Sequence, residues 1–253
     1  MKRVLSAILT AAGILLAGIL NPAAAADENT TVLITGANRG IGLEFARQFT
    51  EKGYAVIGTA RSPDEAEELR DLDARIVELD VADSASVKAM AKALQGTKID
   101  ILINNAGISG HGAQSFRELD IDKLDWTFQV NSLGPMRVTQ ALHDNLLAGE
   151  GKKILHVSSI MGSIELNDRG GVYGYRMSKT ALNMFNKSLS LELADKGFIC
   201  VVLHPGWVQT DMGGEQAPLE PEESISGMIR VIEGLDDSDN GRFYDYTGKE
   251  LPW

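Results

Sequence analysis

Cysteine is nearly missing from this chain. Cys200 is the only one in 253 residues, so no disulfide can close within it. It sits in the apolar run Phe198-Ile199-Cys200-Val201-Val202-Leu203, where it reads as a small buried hydrophobe. Its solitude neither supports nor excludes an oxidising compartment. Histidine is scarce too, and the four present offer no metal-ligand spacing with one another or with Cys200. Positive charge is short: 24 Lys and Arg face 35 Asp and Glu, a net charge of -11. That argues against nucleic acid or an anionic membrane surface as partner, and any cation facing an anionic ligand has to be placed locally. No internal repeat and no long linker interrupts the chain, so one domain is expected.

Only one long uncharged run exists. Lys2 and Arg3 precede it, it extends over 4–20, and Pro22-Ala23-Ala24-Ala25-Ala26-Asp27 supplies the small residues of a signal-peptidase site. Residues 1–26 are therefore expected to be a signal peptide cut after Ala24 or Ala26, which implies export to the periplasm. A retained anchor is one alternative, since a run of about seventeen residues is at the lower edge of a membrane span. A cytoplasmic chain with a first buried helix is the other. Residues 27–253 suffice for one well-cored α/β domain.

Apolar runs at 31–34, 54–59, 74–79, 99–103, 153–157 and 198–203 read as strands. Between them, amphipathic stretches read as helices, including a long one over 124–145 and another over 175–194. Arg61-Ser62-Pro63-Asp64 reads as the cap of the helix after the second strand. This alternation predicts an α/β fold: a Rossmann-type doubly wound parallel sheet with helices on both faces. After Pro205 the alternation stops, with 224–232 helical and 241–246 a last strand at the sheet edge.

The turn Thr35-Gly36-Ala37-Asn38-Arg39-Gly40-Ile41-Gly42 closes the first strand and opens the first helix, where a dinucleotide pyrophosphate binds. Gly36 would allow the turn, Gly40 would clear room for the pyrophosphate, and Gly42 would let the helix approach the sheet. Asn38, Arg39 and Ile41 belong to the same candidate shell. The second strand ends Thr59-Ala60-Arg61-Ser62, with no acid before Asp64 to receive ribose hydroxyls. Arg61 could instead pair with a 2′-phosphate, Ser62 could donate to it, and Arg39 points to the same corner. NADPH is therefore expected over NADH. Asp80, with Val81 beside it, could accept from the adenine amino group. Asn105-Ala106-Gly107 would line the ribose, although Asn104 and Asn105 could equally be turn residues bonding their own backbone.

Tyr175 and Lys179 lie one helical turn apart on one face. A phenol with pKa near 10 is a poor acid–base group at neutral pH unless its phenolate is stabilised, and the Lys179 ammonium would lower it. Ser159, just after the fifth strand, would donate to a carbonyl oxygen. Tyr173 competes by position, but its partner one turn on is Met177, which makes it a pocket or packing ring.

The glycine turn, the Asn104-Asn105-Ala106-Gly107 run and the Ser159, Tyr175, Lys179 set closely resemble the classical short-chain dehydrogenase/reductase family. The resemblance covers nearly all of residues 27–253. It implies that Asn131 holds a proton-relay water beside the lysine. It also implies that Pro205, Gly206, Val208 and Thr210 back and bond the nicotinamide. The runs 175–183 and 204–214 and the ending 246–253 look like a narrower branch, the sniffer-type carbonyl reductases and C-factor-like proteins. That resemblance implies NADPH-dependent reduction of an aldehyde or ketone, with a homodimer formed through two long central helices. Ser159 precedes Tyr175 by a longer gap than is usual in the family, so 167–171 is expected to be a loop insertion beside the pocket. Ile160, Met161, Trp207, Met212 and the stretch 109–116, with His111 and Gln114, would form a mostly apolar wall for a small carbonyl substrate. A non-catalytic nucleotide-binding or signalling protein resembling C-factor is the alternative.

Overall fold

In the computed structural model, residues 30–110 and 115–253 are described. The expected signal peptide and the wall residues His111 and Gln114 lie outside the described residues. The apolar runs form seven parallel strands: β1 (Thr31–Ile34), β2 (Ala55–Ala60), β3 (Arg75–Glu78), β4 (Ile101–Asn104), β5 (Lys153–Val157), β6 (Ile199–His204) and β7 (Phe243–Asp245). Their order is β3-β2-β1-β4-β5-β6-β7. The chain winds outward from β1 to β3, then returns to β4 on the other side of β1. That reversal opens a crevice at the carboxyl ends of β1 and β4, where α/β sheets bind ligands.

Alternation along each strand separates two cores. Val32 and Ile34 of β1 pack with Phe45 and Phe49 of α1 (Gly40–Glu51) and with Met228 and Ile229 of α8 (Pro221–Gly234). Leu33, Leu102, Ile154 and Cys200 face the other way, onto Val87 and Met90 of α3 (Ser84–Ala93). Cys200 is fully buried, as its apolar run suggests.

Two helical expectations change. After β2 the chain makes a tight turn at Pro63–Glu65 before the short α2 (Glu67–Arg70), and Ser62 makes no side-chain cap bond. The long helix expected over 124–145 is three segments. These are α4 (Ile121–Phe128), α5 (Gly134–Ala141) and α6 (His143–Ala148), with a π-helical turn at Gln129–Leu133 between the first two. Pro135 has no N–H to return to the Asn131 carbonyl, which removes one rung of the α-helical ladder there. Gly134 allows close approach to Val81, whose Cγ2 would lie 2.9 Å from an added Cβ. Such a bulge in a helix often marks a functional position. The catalytic candidates Tyr175 and Lys179 lie on α7 (Tyr173–Glu192), packed beside α4 and the π turn. Among the described residues no helix is long and apolar enough to cross a membrane.

Candidate active site

The turn after β1 is held by its neighbours on both sides. Gly36 N donates to Thr59 Oγ1 at 3.2 Å, and Ala37 N to the Thr59 carbonyl at 2.8 Å. Asn105 Nδ2 donates to the Thr35 and Gly36 carbonyls at 3.0 and 3.1 Å. The Asn105 amide therefore braces the glycine turn. Thr35 completes the brace, its Oγ1 accepting from Asn105 N and Ala106 N, both at 3.0 Å. Gly36 has φ +65°, and an added Cβ would stand 3.1 Å from Ala106 Cα. At Gly42 an added Cβ would stand 2.2 Å from the Gly36 carbonyl oxygen, so helix and turn meet only because it is glycine.

Beyond that contact the turn opens into a slot. At Gly40 (φ +53°) the nearest atom to an added Cβ is Thr210 Cγ2 at 3.5 Å, across the crevice. The first turn of α1 holds no acid, and Arg39 provides no side-chain cap. The helix thus presents its first N–H groups to the slot, in the pattern that takes a phosphate. On the far wall Gly206 has φ +85°, and its absent side chain clears Leu219. Pro205 O accepts from Ser224 Oγ, Val208 bridges to Leu219, and Thr210 Oγ1 accepts from Gly213 N at 3.1 Å.

Arg61 and Ser62 are exposed just past the end of β2, at the corner expected for a 2′-phosphate. Arg39 Nη1 donates to Asp211 Oδ2 at 3.2 Å, across the crevice. Asp80 Oδ1 accepts from Ala82 N at 2.9 Å, and Val81 is buried beneath Gly134. Asn104 bonds no backbone of its own turn. Its side chain is buried, and Nδ2 reaches Thr139 Oγ1 at 3.1 Å and His156 Nδ1 at 3.2 Å. Burial, with a contribution from the Lys179 charge, holds His156 neutral with its pKa down at about 3. His156 could have been noticed only as a histidine inside an otherwise apolar strand.

Ser159, Tyr175 and Lys179 converge at the carboxyl end of β5. Ser159 Oγ accepts from Met161 N at 3.1 Å, so its own O–H is left to donate, and it is directed at the Tyr175 hydroxyl. Lys179 is 5% exposed; its Nζ donates to the Val157 carbonyl at 2.9 Å and stands 5.8 Å from the centroid of the Tyr175 ring. Close approach of α7 depends on Gly162, where an added Cβ would be 2.9 Å from Lys179. Asn131, in the π turn, accepts from Ile108 N and donates to Ile108 O, both at 2.8 Å, and donates to Ser178 Oγ at 3.1 Å. It thereby ties the loop after β4, at Ile108, to the helix carrying the tyrosine and lysine.

The electrostatics differ from the expectation in one respect. Burial raises the Tyr175 pKa above that of free phenol, and a bond from Ser159 offsets part of the rise. The net direction is therefore upward, against the expected lowering: the Lys179 ammonium is aimed at Val157 O, and burial brings its own pKa down to about 8. Tyr175 is thus a protonated donor at neutral pH, beside a lysine that still carries most of its charge. The loop before α7 ends in Gly171 (φ +84°) and Val172 (φ +52°), the latter strained for a β-branched residue. Ile160, Trp207, Met212 and Phe116 are all exposed at the site's apolar side, while Met161 is half-buried.

A doubly wound sheet with this turn at its reversal point and this triad at β5 defines a class, the short-chain oxidoreductase fold. Residues 30–220 match the family model described as short chain dehydrogenase, and the chain belongs to that family. The C-signal of Myxococcus xanthus is 50% identical over 155 residues, covering 61% of this chain and 93% of that protein. The carbonyl reductase Sniffer of D. melanogaster superposes with a TM-score of 0.83 at 34% identity, covering 88% of this chain and 99% of that one. An NADPH-bound carbonyl reductase from chicken fatty liver gives 0.81 at 34% identity, covering 88% and 98%.

Proposed function

We propose that the protein reduces an aldehyde or ketone to an alcohol with NADPH. The observation that carries this proposal is the convergence of Ser159, Tyr175 and Lys179 beside a slot shaped for a dinucleotide. NADPH binding in the chicken relative supports the cofactor. When bound, the reduced nicotinamide supplies the hydride. The Ser159 O–H turns from the Tyr175 hydroxyl to the carbonyl oxygen and holds it toward the phenol. Tyr175 gives its proton to the oxygen as negative charge develops there. The buried Lys179 charge stabilises the phenolate left behind, and Asn131 keeps α7 in register with the loop after β4. The uncapped α1 N-terminus and Gly40 receive the pyrophosphate, with Arg61 and Ser62 at the 2′-phosphate. Asp80, Asn38, Ile41, Ala106, Gly107, Val208 and Thr210 complete the shell. The apolar rim of Phe116, Ile160, Trp207 and Met212 favours a small apolar carbonyl compound. NADPH consumption measured with a panel of aldehydes and ketones tests the proposal. Tyr175→Phe should bind cofactor yet lose about two or more decades of kcat. Near-normal turnover by that variant refutes the assignment.

Similarity to the C-signal favours a second reading, a signalling protein that binds nucleotide without turnover. Cofactor binding with no reduction of any panel member would select it. A homodimer paired through α4 and α7 is also proposed. Met177, Met184 and Leu191 form an exposed stripe on α7, beside exposed Trp126 on α4. Gel filtration at several concentrations tests it. Export with cleavage after Ala24 or Ala26 is tested by intact mass in periplasmic, membrane and cytoplasmic fractions; a full-length soluble cytoplasmic chain refutes it.

A further inference from the structure

Arg39 and Asp211 form a link across the mouth of the dinucleotide slot. Arg39 lies at the N-cap of α1, and its guanidinium leaves the glycine turn to meet Asp211 Oδ2 at 3.2 Å. Both side chains are largely exposed, 69% and 82%. An ion pair so open to water is worth little and exchanges its partner at small cost. Arg61, by contrast, takes part in none of the ion pairs among the described residues.

Asp211 does not sit on a loose strand end. Trp207 Nε1 donates to the Gly213 carbonyl at 2.8 Å, Gly214 N to the Thr210 carbonyl at 2.8 Å, and Gly213 N to Thr210 Oγ1. The segment 207–214 is thus braced internally, and Gln209 N ties its start to the Leu219 carbonyl at 2.9 Å. It carries Thr210, facing Gly40 across the slot, together with Trp207 and Met212 of the apolar rim. The Arg39–Asp211 pair adds a tie between this wall and the glycine turn.

We propose that Asp211 is a specificity-determining residue that competes with the cofactor's 2′-phosphate for the Arg39 guanidinium. A guanidinium binds phosphate with two donors and more charge than this single carboxylate contact offers. A ligand bearing a 2′-phosphate at the Arg61 corner draws Arg39 away from Asp211 and opens the link. A ligand without that phosphate leaves the link closed. The inference rests on the NADPH assignment above and adds a residue that works against it.

The test is calorimetric binding of two nucleotides that differ only in the group at issue, adenosine 2′,5′-bisphosphate and 5′-AMP. Wild type, Asp211→Asn, Arg39→Met and the double variant are compared at low ionic strength. Asp211→Asn should tighten the bisphosphate about two- to five-fold, the range an exposed ion pair supplies, and leave 5′-AMP unchanged. The gain should vanish in the Arg39→Met background, because the competition acts through that guanidinium. No gain, an equal gain for both nucleotides, or a gain that persists without Arg39 would each overturn the inference. Equal wild-type affinity for the two nucleotides would overturn the NADPH assignment along with it. A preserved wild-type preference with no gain in Asp211→Asn overturns the inference alone.

Discussion

Lys179→Met should make the fold more stable near neutral pH only to the extent that a buried charge is removed, and pH separates that effect from the rest. Burial lowers the Lys179 pKa from 10.5 to about 8. A tenfold change in proton affinity corresponds to about 1.36 kcal/mol, so the buried ammonium costs the native state roughly 3 kcal/mol below pH 8. Between about pH 8 and 10.5 the native lysine is neutral while the unfolded one still holds its proton. The unfolded state then binds more protons, and stability rises with pH across that window. The variant lacks this titration. It also leaves the Val157 carbonyl without its 2.9 Å donor, a pH-independent loss of about 1–3 kcal/mol. Urea unfolding of both proteins from pH 7 to 10.5 gives the readout, taken as the difference between the two curves. The difference matters because Cys200, pushed up to about 12 by burial, lowers stability as pH rises past its unfolded value. The wild type should gain roughly 3 kcal/mol on the variant across the window. Parallel curves would show that the ammonium is solvated in the native protein, and the electrostatic account of the site would fail.

Three further outcomes are expected. Ser159→Ala should lower kcat by up to about 3 kcal/mol of transition-state stabilisation, as removal of one donor to the carbonyl oxygen does; a change confined to KM would deny it that role. Arg61→Ala should reduce the NADPH to NADH ratio of kcat/KM by about one decade, as expected for one charge-assisted phosphate contact; an unchanged ratio would make it a surface cation only. Gly42→Ala places a Cβ 2.2 Å from the Gly36 oxygen, so the turn must shift, and pyrophosphate binding should weaken more than thermal stability. Cofactor affinity equal to wild type would show that the turn is looser than this contact implies.

Much of the molecule could be read along the chain because its signals are local. Apolar runs ending in glycine or asparagine, followed by helical periodicity, specify βαβ units, and right-handed crossover makes their sheet parallel. Tyr175 and Lys179 share a face through helix geometry alone, and the glycines of 36–42 occupy fixed places between strand and helix. Other features arise only from elements distant in sequence. The Asn105 amide braces the glycine turn only because strand pairing sets β4 beside β1. Arg39 reaches Asp211 only once the turn after β1 and the segment after β6 face each other across the crevice. The Tyr175 and Lys179 pKa values follow from the depth at which α7 packs, which no spacing encodes. Sequence determined which chemical groups this protein carries and which local element bears each. Tertiary packing decided their partners and their charge, because desolvation and long-range contacts exist only in the assembled fold.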